Sequence, residues 1–492
     1  MSSRKVSQPL VPKEKVLIAL VCLQLALAIW SMALTHLWSE LLFAALSVAG
    51  FMICLIPQQR DLRWQDPAQT TSAAWKRLRR FPLFWSGILL LLYIAIQGLN
   101  PAYGYEENPE TWRSFPIDHL SWLPSSIASP FHKLNPWRMM LMLGAAWLFL
   151  CYSWTGLQRR RSLAFVLWFL FFNALAFCVL VIVQKQTGAS GIYWNFEVYP
   201  NFFGTVPYKN RGAALLYLMM GCSMALYFYQ VRIMRERLLR SGPHLIVLLG
   251  ILVQYATLWS SFSRGGLAVA TAMLFAFFLM ILRTSFEEGD SPILKFLSIP
   301  ICALLIVLAA TAVPRLPDFE GTLQRFESEK LEKEVTTLDF NGRLIPTQIT
   351  WEMIQYKPWF GWGAGSWRFV FPYYQLNYPE ILNDGKIVRI WHDAHNDWAQ
   401  YVSELGIVGT PFLLFFILWP VMFLSRNIRQ SRCTHIMLAI TLLGGFVHAL
   451  IELLFQNLSI LCLSATVIML LLKLPYSRRS REHTNRLPGS IT

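Results

Sequence analysis

Side chains able to move protons or grip anions are concentrated in one stretch of the 492-residue chain, Trp391-His392-Asp393-Ala394-His395-Asn396-Asp397-Trp398-Ala399-Gln400. Ser403-Glu404-Leu405-Gly406 and a membrane-length apolar run follow it. The stretch therefore lies where a polar loop re-enters a bilayer, a place that can serve a water-soluble head group and a lipid tail together. A plain polar first turn of a membrane helix is the alternative, but it needs fewer chemically competent side chains. A neutral imidazole here can take a proton from a hydroxyl. On a helix His395, Ala399 and Val402 share one side, turning His395 toward the bilayer surface, with His392 about one turn earlier. His-x-x-His also suits two metal ligands, but no third ligand is marked among His392, Asp393, His395 and Asp397, so no metal is assigned.

Other candidates are cationic. Arg264, in Ser261-Phe262-Ser263-Arg264-Gly265-Gly266, falls between two apolar runs. A guanidinium beside the bilayer is costly and usually functional, and its fork suits phosphate. The two glycines allow a large anion close to the backbone. Lys209-Asn210-Arg211 suits a phosphate or sugar, or an interfacial anchor. Arg343, at the N-terminal edge of an expected helix at 344–356, is a third outward cation. His448, Glu452 and Gln456 recur at i, i+4 and i+8, a polar stripe facing protein or water rather than lipid; interhelical hydrogen bonding is the other reading. The run Gly361-Trp362-Gly363-Ala364-Gly365 permits close packing but follows no strand, so it is no phosphate loop.

The elements that must position these residues are membrane helices. Residues are 55% hydrophobic and only 14% charged, against about 25% charged in soluble domains, and apolar windows of about 20 residues recur throughout. An all-α polytopic membrane protein with about 12 transmembrane helices is expected, at 16–34, 41–56, 83–99, 139–157, 162–183, 212–230, 244–261, 266–281, 297–313, 407–424, 434–454 and 458–473. The net charge of +15 is scattered between apolar runs, which argues against nucleic acid. Alternate loops carry the Lys and Arg, placing both termini in the cytoplasm. No cleaved leader is expected, because the first apolar run is membrane length without a small-residue cleavage site. The segment 58–81 reads as an amphipathic inner-leaflet helix or a plain topology signal. Segments 100–137, 185–211, 263–266 and 314–405 face outward; the last carries short helices at 323–334 and 344–356. The eight cysteines lie in or beside apolar runs without CxxC spacing, so neither disulfides nor zinc are expected.

Taken together these motifs resemble the O-antigen ligase and polymerase superfamily. The matching residues are Ser263-Arg264-Gly265-Gly266, Gly342-Arg343 through Trp351, Pro358-Trp359-Phe360-Gly361-Trp362-Gly363-Ala364-Gly365, His395-Asn396-Asp397-Trp398-Ala399-Gln400 with Glu404-Leu405-Gly406, and His448-Ala449-Leu450-Ile451-Glu452, where Glu replaces the family's Asp. The resemblance covers roughly 211–474, after an N-terminal helical region (1–210) and before a basic cytoplasmic tail (475–492); the large periplasmic loop is 314–405. It implies a metal-independent, GT-C-like glycosyltransferase in the bacterial inner membrane, multi-pass, with its active site facing the periplasm and no cofactor. It also implies an undecaprenyl-diphosphate-linked glycan donor and a lipid A–core or other glycan acceptor, besides contact with membrane lipids. By position, Arg264 and Arg343 would bind the diphosphate and His395 would activate the acceptor, with Asn210, Arg211, Asn396, Gln400, His448 and Glu452 in substrate binding. The family's Asn-x-Asn-His-Phe-Ala stretch appears only as Lys209-Asn210-Arg211-Gly212-Ala213-Ala214. Ligase and polymerase are not separated by these motifs. A transporter is the reading from another class; no internal repeat supports it.

Overall fold

The computed structural model describes residues 12–56, 74–107, 112–197, 202–233, 242–287, 335–382, 391–426 and 433–474. Helices α1 (Pro12–Trp30), α2 (Leu37–Leu55), α3 (Pro82–Leu99), α4 (Pro136–Gly156), α5 (Arg160–Gln186), α6 (Lys209–Ile233), α7 (Pro243–Trp259), α8 (Arg264–Glu287), α9 (Val335–Tyr356), α10 (Trp367–Gln375), α11 (Asp397–Arg426), α12 (Cys433–His448) and α13 (Leu458–Lys473) follow in order. Seven of these, α2 to α6, α8 and α11, are long and apolar enough to cross a membrane. Helices α7, α12 and α13 are apolar but shorter, and α1 carries Lys13, Glu14 and Lys15 in its first turn. Eleven of the twelve expected segments overlap a described helix; the twelfth, 297–313, lies outside the described residues, as does the expected helix at 323–334.

The two ends of the bundle are identified by side chains that tie helix termini together. At the upper end Tyr193 donates to Trp30 O (2.5 Å), Asn457 donates to Ala33 O (2.8 Å), and the Arg138 guanidinium forks onto Glu40 (3.0 Å twice). These contacts gather the end of α1 and the starts of α2, α4 and α13. At the lower end the Glu14 carboxylate takes the Gln158 and Arg159 N–H groups and the Ser162 hydroxyl, and Lys13 donates to Cys54 O and Ile56 O. Helix termini leave orphan backbone groups, which in a membrane must find protein partners.

Three expectations are amended. The chain is not purely α. In the segment after α3, β1 (Pro101–Glu107), β2 (Trp112–Pro116) and β3 (Ser126–Ala128) form a sheet of order β2-β1-β3, antiparallel between β1 and β2 and parallel between β1 and β3. Burial alternates along the start of β1, the period of a half-covered strand. A two-stranded ribbon, β4 (Gly191–Ile192) and β5 (Phe196–Glu197), lies between α5 and α6. Second, α9 begins at Val335 and holds Pro346 inside it rather than in its first turn. Third, the helix expected over 434–454 ends at His448. Of the expected amphipathic segment 58–81, residues 57–73 lie outside the described residues; 74–79 form a short helix that buries Ala74 and Leu78 and exposes Trp75, Lys76 and Arg77.

Above the bundle the sheet, α9 and α10 share a second apolar cluster, including Ile127, Met353, Trp362, Trp367, Phe371 and Trp391. Trp367 is fully buried and its indole N–H donates to Thr350 (2.9 Å). This cap holds the chain leading to His395 against the upper end of the bundle.

Candidate active site

Two helix breaks build the site. The first is in α11, where Gly406 has φ +66°. The glycine-rich run 361–365 clamps onto it through its backbone. Trp362 N–H donates to Ser403 O (2.9 Å), Gly363 N–H to Glu404 O (2.9 Å), and Ile407 and Val408 N–H to Pro358 O and Trp359 O (2.9 and 3.1 Å). A Cβ on Gly406 would lie 2.3 Å from Trp359 O, so only glycine fits. Helix α3 braces the kink from the side: Tyr93 donates to Phe360 O and Leu405 O, while Gln97 donates to Phe360 O and Glu404 O and accepts from Ala364 N–H. Inside the clamp the fully buried Glu404 carboxylate accepts from Gly365 N–H (2.9 Å), Trp367 N–H (3.3 Å) and Gln400 Nε2 (3.1 Å).

The second break separates α12 from α13. The buried Asp397 carboxylate accepts the Leu454 and Phe455 N–H groups (2.6 and 2.7 Å), standing in for the helical carbonyls they would otherwise use. Asp397 N–H in turn donates to Ala449 O (2.9 Å), Tyr401 to Phe455 O (2.8 Å), and Asn457 caps α13 through Ser459 and Ile460. This break lifts Glu452 out of any helix, so the stripe expected at 448, 452 and 456 does not exist. His448 instead turns inward to Tyr217 (3.2 Å).

Glu452 is the centre of the polar group so formed. It is 2% exposed. Asn210 Nδ2 donates to one carboxylate oxygen (2.5 Å) and Tyr208 OH to the other (3.0 Å); Asn210 also donates to Tyr208 (3.0 Å). Arg211 Nε is held by Leu453 O (3.1 Å). His395 Nδ1 stands 3.9 Å from Glu452, beyond hydrogen-bond length but close enough for charge to act. That nitrogen is buried without a hydrogen-bond partner, as are both amide atoms of Gln456 and Asp397 Oδ1. His395 precedes α11 rather than riding on it, with φ +52° and its ring edge-on to Trp391. A non-glycine residue in this region stores about 1–3 kcal/mol of strain, kept here because Asp397 and Asn396 begin the helix immediately afterwards.

Arg264 opens α8 and is exposed, with Ser263 Oγ accepting from Gly266 N–H. The next residue packs against the site: a Cβ on Gly265 would come 2.6 Å from His448 Nε2, and one on Gly266 would come 2.6 Å from the Ala213 Cβ. The cation-bearing helix end, α6 and α12 therefore meet at the upper end. Lys185 lies over the Phe262 ring at 4.8 Å, on the same approach.

The structure thus brings together His395, Glu452, Asn210, Arg211, His448 and the helix end of Arg264. Asn396 and Gln400 point elsewhere. Asn396 caps α11 by accepting from Ala399 N–H, and the buried Gln400 links Ala394 N–H to Glu404. Arg343 lies inside α9, not at its edge, and its side chain is outside the described residues. Tyr208 and Tyr217 are site residues that spacing did not single out, and Asp397, a candidate metal ligand by spacing, instead holds backbone N–H groups; the three act across 57 to 244 residues of chain. Arg368 is another, 3.4 Å from Asp393. Burial and this guanidinium push the Lys133 ammonium down from the usual lysine range. Asp393 faces Arg368, His395 faces Glu452 and Asp397 holds the Leu454 and Phe455 N–H groups, while His392 is exposed. Among the described residues no group of three or more His, Cys, Asp or Glu could hold a metal ion.

A bundle of membrane-length helices, with acid–base and cationic groups gathered where its helices break, defines a polytopic membrane protein with a polar site at one end. Residues 245–416 match the family model described as O-Antigen ligase, which agrees with the superfamily resemblance. The matched stretch runs from α7 into α11 and includes Arg264, Arg343 and His395; Asn210 and Glu452 fall outside it. Comparison with curated proteins finds no match.

Proposed function

We propose that the upper end of the bundle is the active site of a glycosyltransferase that moves a glycan from undecaprenyl diphosphate to an acceptor hydroxyl, on the periplasmic side of a bacterial inner membrane. The observation that carries this reading is the pairing of His395 with the buried Glu452, beside the helix end that presents Arg264.

The acceptor oxygen bonds to the anomeric carbon as the bond from that carbon to the diphosphate oxygen breaks. The electron pair leaves on the diphosphate, and the hydroxyl proton passes to neutral His395. Glu452, oriented by Asn210 and Tyr208, stabilises the imidazolium. A single displacement inverts the anomeric centre. Arg264 and Arg343 offset the charge that grows on the leaving group, the role a metal ion fills elsewhere. Arg211, held at Leu453 O next to Glu452 in the chain, adds a further positive charge. The acceptor is lipid A–core in a ligase and a second lipid-linked glycan in a polymerase.

The test is turnover of a polyprenyl-diphosphate glycan by purified protein in excess EDTA. Release of polyprenyl diphosphate with a new glycosidic bond is expected, and R264K, which keeps the charge but loses the fork, is expected to lose most of it. Activity that needs an added divalent ion, or full activity in R264K, overturns the mechanism. Loss of capped lipopolysaccharide on deletion identifies a ligase; altered glycan length identifies a polymerase.

A further inference from the structure

The lower end of the bundle carries a feature with no part in this transfer. A groove of about 510 Å³ opens between α3 and α11, within the range of ligand pockets. Trp85, Leu89, Phe412 and Phe415 line it, and Arg79 and Arg80 stand at its mouth. Both guanidiniums are exposed, and Lys76 and Arg77 flank them. No acidic residue lines the groove.

Its place in the fold is well defined. Phe81 stacks on Trp154 at 4.1 Å, and Lys473 lies over that same indole at 4.8 Å, so the arginines belong to the lower end. The rise of α3 from its start to Gln97 puts the arginines about 25 Å from the clamp, close to one hydrocarbon thickness. Trp85 Nε1 donates to Arg79 O (3.0 Å), fixing the mouth, and Ser86 Oγ donates to Phe412 O (2.7 Å), joining the two helices in the groove. The geometry is therefore amphipathic along one line: cations at the membrane surface, hydrocarbon-matching walls below them. A small soluble anion would use only the cations. An uncharged lipid would use only the walls.

We infer that this groove binds one anionic glycerophospholipid, its phosphate on Arg79 and Arg80 and an acyl chain along Trp85, Leu89, Phe412 and Phe415. Guanidinium forks match phosphate oxygens, and long apolar walls beside a bilayer hold hydrocarbon. The lipid bridges α3 and α11, two helices that also meet at the Gly406 clamp, where Tyr93 and Gln97 hold Leu405 O and Glu404 O. This site is independent of the proposed transfer.

The full chain, purified in detergent and stripped of lipid, is titrated with phosphatidylglycerol, phosphatidylcholine or inorganic phosphate, and bound molecules are counted by native mass spectrometry. One phosphatidylglycerol is retained in preference to phosphatidylcholine. R79Q/R80Q holds it about thirtyfold more weakly, roughly fivefold for each arginine near an anionic head group. L89W fills the groove and weakens retention while keeping both charges. Lipid-free melting temperatures equal to wild type show that the variants are folded, and the head-group comparison on the wild-type chain decides the matter without them. Equal retention of phosphatidylcholine, retention unchanged in the folded variants, or inorganic phosphate competing as well as the lipid overturns the site.

Discussion

Glu404 and Glu452 are both buried beside breaks in membrane helices, yet their surroundings differ in kind. Glu404 accepts from two backbone N–H groups and a glutamine that is itself held from Ala394. All of these partners are rigid, and each would be orphaned by its loss. Glu452 is held by Asn210 and Tyr208, and its outer neighbour is a histidine nitrogen without a hydrogen-bond partner. Gln456 and one Asp397 oxygen close by are likewise unsatisfied. A polar network that is complete rigidifies a fold, whereas buried polar atoms left open call for an explanation, of which catalysis is one. The comparison marks the clamp as architecture and leaves the open Glu452 group as the place where the proposed transfer would act.

The widest separation between the two regions is expected from H395A. Loss of a general base typically costs 10²- to 10⁴-fold in rate, so turnover should fall by about that factor while the melting temperature and donor binding hold. H392A should be much milder, since His392 is exposed. A collapse of H392A with H395A active would reverse the assignment of the base.

E404A should do the opposite. Three donors lose their acceptor in a dry interior, a cost on the order of 3–5 kcal/mol. Yield and thermal stability should drop together, with activity falling only in proportion to folded protein. If E404A remains as stable as wild type but inactive, Glu404 belongs to the chemistry and the contrast fails.

The smallest expected effect is that of Y217F. Tyr217 is fully buried, and its hydroxyl meets His448 Nδ1 at 3.2 Å. Removing the hydroxyl should cost about 1 kcal/mol of stability and a few-fold in rate through a looser His448 against Gly265. Thermal melts beside single-turnover rates measure both. A rate loss equal to that of H395A would move Tyr217 and His448 into the reacting group.

Much of this was open to inspection in the chain itself, because hydropathy is a local property. Apolar run lengths placed eleven of the helices, and the residue types around 264 and 395 marked the places where costly groups collect at a membrane boundary. What local reading missed has one physical origin. Nothing in His448-Ala449-Leu450-Ile451-Glu452 breaks a helix by propensity; there is no glycine or proline. The break exists because Asp397, more than fifty residues away, captures the Leu454 and Phe455 N–H groups. The same captured backbone puts Glu452 where Asn210, Tyr208 and His395 can reach it. The left-handed His395 follows from its place between the apolar cap and the start of α11, not from helical spacing.

Composition and apolar periodicity by themselves determined that this is a multi-helix membrane protein with cationic and histidine side chains gathered at loop–helix boundaries, because burying hydrocarbon is the dominant and sequence-additive term. Only the tertiary structure decided which polar residues serve as braces and which line the site. That choice depends on backbone donors supplied by distant segments: Gly365 and Trp367 for Glu404, Leu454 and Phe455 for Asp397. A hydrogen bond is directional and short, so its partner is known only when the chain has folded.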